Sequence, residues 1–212
     1  MEINNKKIST YIMLAVGAIF VVLMIIQNNQ SSESPYIKGL LVERANKDAQ
    51  FKNAQDSPIK EEERTDFEGL VYFEPNIQYI TKAKYVEASG SDTLSLMTTS
   101  GAERKMIVAG AFQFKLQEVS HRLIAYRYLD ASIKELFIPF KDLTSGAETY
   151  GGGRYMDIEV NPNSLEEIRL DFNKAYNPYC VYNENFVCPI PPKENNLLIE
   201  IRAGEKMKKF TN

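Results

Sequence analysis

A mainly β fold is predicted for this chain: an antiparallel roll, barrel or sandwich of about eight short strands, preceded by a transmembrane helix and an amphipathic helix. Three observations predict it. Beyond Leu70 the apolar residues recur with period two, and hairpin-length links separate the alternating runs. Ahead of them, from Pro35, apolar residues fall at near-helical spacing. Ahead of that again lies an uncharged stretch long enough to cross a bilayer.

Residues 1–7 read as a cytoplasmic tail. Ile8 to Ile26 carries no charge, with Ser9 and Thr10 the only polar residues, at its beginning. As a helix it would be about 28 Å long, matching the hydrocarbon core of a membrane. Gln27-Asn28-Asn29-Gln30 follows, without the small residues of a signal-peptidase site, so an uncleaved anchor is expected over a cleaved leader. Lys6 and Lys7 precede the stretch, and no Lys or Arg follows until Lys38. The N-terminus is therefore expected in the cytoplasm of an inner-membrane, single-pass protein, with the rest periplasmic or extracellular.

Residues 27–34 read as a linker and 35–212 as one β-rich domain. Ile37, Leu40, Leu41, Ala45 and Phe51 sit at helical spacing after Pro35, and Glu61 to Phe67 suits a second short helical turn. Strands are expected around Tyr79–Val86, Leu94–Thr98, Met106–Leu116, Leu123–Leu129, Leu136–Phe140, Tyr155–Val160, Ile168–Phe172 and Leu197–Ile201. Met106, Val108, Gly110, Phe112, Phe114 and Leu116 would share one face, and Gln117 to Ser120 would make the hairpin link. His121, the only histidine, then falls at that turn, exposed to solvent.

Composition narrows the function. A net charge of −3 with 44% hydrophobic residues describes a protein with a core and no nucleic-acid footprint. One histidine, and two cysteines without close CxxC spacing, leave no metal-site pattern. Gly151-Gly152-Gly153-Arg154 has neither P-loop nor dinucleotide context, so no cofactor is expected. The glycines read better as a kink or bulge in a strand than as a phosphate cradle.

The residues able to do chemistry concentrate late in the chain. The runs are FIPFKDLTSGAETYGGGRYMDIEV from Phe137, LDFNKAYNPYC from Leu170, CPIPPKENN from Cys188 and IRAGEK from Ile201. With the upstream stretch RTDFEGLVYFEPNIQY from Arg64, these runs resemble the domain of unknown function 1684 family of bacteria and archaea. The resemblance covers essentially everything beyond the apolar stretch and implies a Gram-negative periplasm for the domain. It implies a domain identity and no mechanism, because the family has no assigned catalytic residues.

Arg154 either closes a buried ion pair, the favoured reading, or presents a cation to an anionic ligand. Tyr150, Tyr155 and Tyr176, with Asn173 and Asn177, are candidate ligand contacts. Tyrosines grouped around one pocket suit a sugar, peptide or aromatic ligand. Glu148 and Asp171 are the first pair of carboxylates to consider for hydrolysis, although each also suits a turn cap. In an oxidising compartment Cys180 and Cys188 would pair as a disulfide, worth about 2–3 kcal/mol for so short a loop. The leading expectation is a binding module for a small molecule or an envelope partner. A hydrolase using paired carboxylates and a purely structural envelope component are the alternatives.

Overall fold

A computed structural model describes residue 15 and residues 34–90, 92–129, 135–160 and 167–207. The expected membrane span, 8–26, lies outside the described residues apart from Ala15. Among the described residues no helix is long and apolar enough to cross a membrane. The chain divides into two units, 1–45 and 46–212. Helix α1, Pro35–Asn53, begins in the first and ends in the second.

The second unit is built on one antiparallel sheet. Its strands are β1 (Ile80–Glu87), β2 (Thr93–Met97), β3 (Glu103–Leu116), β4 (Val119–Arg127), β5 (Glu135–Phe140), β6 (Arg154–Glu159) and β7 (Ile168–Asp171). They run in the order β6-β5-β4-β3-β1-β7, with β2 also paired to β3. The sheet curls until its ends nearly meet. Tyr155 of β6 exchanges both backbone hydrogen bonds, each 2.9 Å, with Tyr176, just beyond β7. One nearly closed barrel-shaped sheet results, and the sandwich alternative drops out.

Curling gives the sheet two buried faces, and the alternation of each strand sorts its residues between them. Leu123 and Ala125 of β4, Leu136, Ile138 and Phe140 of β5, and Met156 of β6 point inward. Phe112, Phe114, Leu116, Leu170 and Phe172 join them in the main core. Burying each such side chain stabilises by about 1.5–3 kcal/mol. Tyr126, Phe137 and Tyr155 point the other way, into a smaller outer cluster with Leu96, Met106 and Cys188.

Three expectations need correction. First, β3 does not keep Met106 to Leu116 on one face. Its pairing with β4 shifts register between Val108 and Gly110, and this bulge at Ala109 inserts one residue and reverses the alternation. Met106 and Val108 therefore serve the outer cluster, while Phe112, Phe114 and Leu116 serve the inner core. Gly110 sits where the strands press closest, since a Cβ there would lie 2.4 Å from the Val86 carbonyl oxygen.

Second, Leu197–Ile201 is not a strand, so the described residues hold seven strands and not eight. The segment runs beside 141–143, with Leu197 N–H donating to Lys141 O at 2.8 Å and Leu143 N–H to Ile199 O at 3.0 Å. Ile201 bonds to side chains instead. Ile201 N–H donates to Asp142 Oδ1 at 3.2 Å, and Ile201 O accepts from Arg154 at 2.8 Å. A buried ion pair takes the place of a neighbouring strand.

Third, the β3–β4 hairpin turns on two residues, Gln117 and Glu118, both at positive φ (52° and 61°). That is the primed geometry that fits the twist of the flanking strands. His121 consequently lies in β4 opposite Phe114, half-buried, its ring 5.5 Å from the Phe114 ring.

Candidate ligand cavity

The signature residues divide into an internal frame and a cavity wall. Arg154 belongs to the frame. It enters β6 from Gly153, where φ is 96° and an added Cβ would lie 2.6 Å from Phe140 O, so no side chain fits. The Tyr150–Gly153 turn closes with a 2.9 Å hydrogen bond. Arg154 is wholly enclosed and donates to Asp142 Oδ2 at 2.9 Å, to Ile201 O, to Ala203 O and to Glu205 O. Asp142 Oδ1 accepts from the Thr144 amide, the Thr144 hydroxyl and the Ile201 amide. Burial pushes the Arg154 pKa down and Asp142 pushes it back up. The ion-pair reading of Arg154 is the one the structure shows, and the residue does not reach a ligand surface.

Asn173 is also part of the frame. Its amide clamps the backbone of Asn76, accepting from Asn76 N at 2.9 Å and donating to Asn76 O at 2.8 Å. The two carboxylates considered for hydrolysis are each engaged elsewhere. Glu148 Oε1 meets Arg202 Nε at 2.8 Å on the surface, whereas Asp171 caps Asn173 N at 3.1 Å and meets Arg169 at 3.3 Å. Neither lines the cavity described next.

Arg104 of β3, Tyr128 just past β4, Phe137 of β5, Tyr155 and Asp157 of β6, Lys47 of α1 and the loop 176–189 line an open cavity of about 400 Å³. Its wall is aromatic: Tyr128, Phe137, Tyr155, Tyr176, Tyr179 and Phe186. The rings lock one another. Phe137 meets Tyr155 edge-on at 4.7 Å, Tyr155 meets Tyr176 at 5.8 Å, and Tyr179 meets Phe186 at 5.4 Å. The Tyr155 hydroxyl donates to Pro189 O and ties the loop to β6. These contacts hold the wall together.

Charge enters at three points. Asp157 faces the cavity and accepts from the Tyr176 hydroxyl at 2.6 Å. Desolvation raises its pKa despite that bond and the nearby Lys47. Lys47, on the last turns of α1, stands 4.6 Å over the Tyr176 ring and is anchored to Glu205 Oε1 at 2.7 Å. Glu205 is itself buried, its other oxygen accepting from Asn177 N at 2.7 Å and Tyr182 OH at 2.9 Å. Arg104 of β3 lies 5.9 Å from the Tyr128 ring.

Cys180 and Cys188 are free thiols lying side by side, with Cys180 N–H donating to Cys188 Sγ at 3.4 Å. Cys188 lines the cavity. Tyr150 is half-buried beside Cys180, and burial followed by that thiol raises its pKa. Asn177 lines a second cavity of about 320 Å³ with Phe67 and Tyr182. Among the described residues no cluster of His, Cys, Asp and Glu could hold a metal.

Of the expected ligand contacts, then, Tyr155 and Tyr176 meet in one cavity, while Arg154, Tyr150, Asn173 and Asn177 do not join them there. Sequence reasoning missed Lys47, Arg104, Tyr128, Phe137 and Phe186, which come from distant segments. One signal was available for Tyr128: it continues the outward alternation of Ile124 and Tyr126 past the end of β4.

The family profile described as "Protein of unknown function (DUF1684)" matches residues 65–206. A solved structure is similar over most of its length: the solution NMR structure of an uncharacterized protein of Haloarcula marismortui. It shares 36% identity at a TM-score of 0.65, over 81% of this chain and 94% of that one. No curated protein matches.

Proposed function

The chain belongs to the DUF1684 family, and we propose that it is a binding module for a small, ring-bearing polar ligand such as a sugar or an aromatic amino acid. The observation that supports this is the outer cavity. Edge-to-face aromatic walls with one carboxylate and two cations suit a ring bearing hydroxyl or amino groups. Among the described residues Asp157 is the only carboxylate lining that cavity, whereas hydrolysis of a glycosidic bond uses a pair.

We place the domain outside the cytoplasm, carried by residues 8–26 as a single-pass anchor with its N-terminus inside. The apolar stretch and the lysine asymmetry support that placement. In that setting Cys180 and Cys188 would be held as a disulfide. A reporter that requires export, fused after residue 34, should be active, while one that requires the cytoplasm should be silent.

Saturation-transfer NMR tests the binding reading against monosaccharides, N-acetylated amino sugars and aromatic amino acids. At least one should take up magnetisation from the protein, and Asp157→Asn with Tyr176→Phe should abolish the transfer without loss of fold. Transfer that survives both substitutions would place the ligand elsewhere.

A further inference from the structure

We propose that Cys188 and Cys180 form a thiol–disulfide exchange site opening into the outer cavity, in which Cys188 attacks and Cys180 resolves. This activity is independent of ligand recognition by the aromatic wall, and it takes a disulfide of a small molecule or an exposed peptide as substrate.

The two cysteines are built differently. Cys188 is strapped to the sheet on both sides. Its amide donates to Thr99 Oγ1 at 3.1 Å, its carbonyl accepts from Thr99 N at 3.0 Å, and the following Pro189 carbonyl accepts from Tyr155. Cys188 is buried, 7% exposed, and lines the cavity, whereas Cys180 is half-buried. Cys180 instead lies in a single 3-10 turn, Tyr179–Val181, and turns its amide N–H onto the Cys188 sulfur. An N–H donor aimed at a sulfur favours its thiolate, the reactive form. Hydrogen bonding from the Cys180 thiol is the largest effect lowering the Cys188 pKa, to about 6, with the amides of Cys180 and Tyr179 and the charge of Arg104 adding to it against burial. The Cys180 thiol is pushed up, first by its bond to Cys188 and then by burial. An attacking thiolate and a protonated neighbour are the starting state that exchange requires.

The Cys188 thiolate attacks one sulfur of R–S–S–R′, whose S–S bond breaks. R′–S⁻ leaves and Cys188–S–S–R forms. Cys180 then gives its proton to water and attacks Cys188 Sγ, expelling R–S⁻. Two protein thiols are oxidised to one internal disulfide, and one substrate disulfide is reduced to two thiols. The same steps in reverse oxidise a substrate dithiol when the protein begins in its disulfide form.

The test uses the full chain, reduced and freed of reductant, with the aromatic disulfide 5,5′-dithiobis(2-nitrobenzoate) as probe. Wild type should release two equivalents of thionitrobenzoate and lose about 2 Da without an adduct. Cys180→Ser should release one equivalent and retain the mixed disulfide, which peptide mapping should place on Cys188. The first phase in wild type should stay fast down to about pH 6, where an ordinary thiol has slowed more than a hundredfold. Three results would overturn the proposal: an adduct on Cys180 in place of Cys188, two stable adducts on wild type, or a first phase that follows the pH dependence of an ordinary thiol. Because no step depends on the aromatic wall recognising a ring, failure here leaves the binding reading standing, and the reverse also holds.

Discussion

The Arg154 guanidinium and the Asp142 carboxylate meet at 2.9 Å with neither side chain in contact with solvent. Arg154 Nη1 and Nη2 hold the carbonyls of Ile201, Ala203 and Glu205, and Asp142 Oδ1 holds the amides of Thr144 and Ile201, while the buried Arg154 Nε has no partner among the described residues. Removing one partner leaves the other charged in a dry interior, which costs about 3–5 kcal/mol. Arg154→Ala and Asp142→Ala should each lose that much in urea unfolding. The double variant should lose less than the sum of the two.

Gly153 and Gly39 should respond to alanine in opposite senses. At Gly153 the backbone is left-handed and a Cβ would lie 2.6 Å from Phe140 O, so Gly153→Ala should cost about 1–3 kcal/mol. Gly39 lies inside α1 with nothing within 4 Å of an added Cβ. Gly39→Ala should therefore stabilise by about 0.5–1 kcal/mol. Melts of the two variants check both signs.

Glu205→Ala should be more damaging than an ordinary surface change, which stays within about ±0.5 kcal/mol. The variant leaves Lys47, the Asn177 amide and the Tyr182 hydroxyl without their shared acceptor. A loss of about 2–4 kcal/mol is expected. The Lys47 side chain should also become mobile in NMR relaxation.

Asp157 gives a pH signature. Its folded pKa is raised, chiefly by desolvation, although the residue as a whole is exposed at the cavity and solvent screens part of the effect. Between the unfolded and folded values the native state thus holds slightly more protons. Stability from this group alone therefore falls as pH rises through that window, and the cost is complete above the folded value. Subtracting the stability–pH curve of Asp157→Asn from that of wild type isolates the term. The difference, wild type minus variant, should decline from acid to neutral pH; a flat or rising difference would contradict the assigned shift.

The strands were legible because alternation in Tyr79–Val86, Leu123–Leu129 and Leu136–Phe140 records which face each residue buries. The bulge at Ala109 was not, since Met106, Val108, Gly110 and Phe112 keep period two straight through it. Leu197–Ile201 reads as a strand by its apolar residues, yet its backbone pairs with 141–143 only at Leu197 and Ile199, and Ile201 bonds to the Asp142 and Arg154 side chains, partners that no local pattern reveals. The frame residues Arg154 and Asp142 stood out as ionisable groups among turn-formers. Part of the cavity stayed hidden because Arg104 and Tyr128 reach Tyr155 and Tyr176 only through the curl of the sheet, and Lys47 comes from α1.

Fragment mapping by amide chemical-shift perturbation is the most direct measurement of the outer cavity as the ligand site. The hits from a library of aromatic and sugar-like fragments should converge on the amides of Tyr128, Tyr155, Asp157, Tyr176 and Cys188, and Tyr176→Ala should disperse them. Convergence instead on the second cavity, around Phe67, Asn177 and Tyr182, or no convergence at all, would contradict the account.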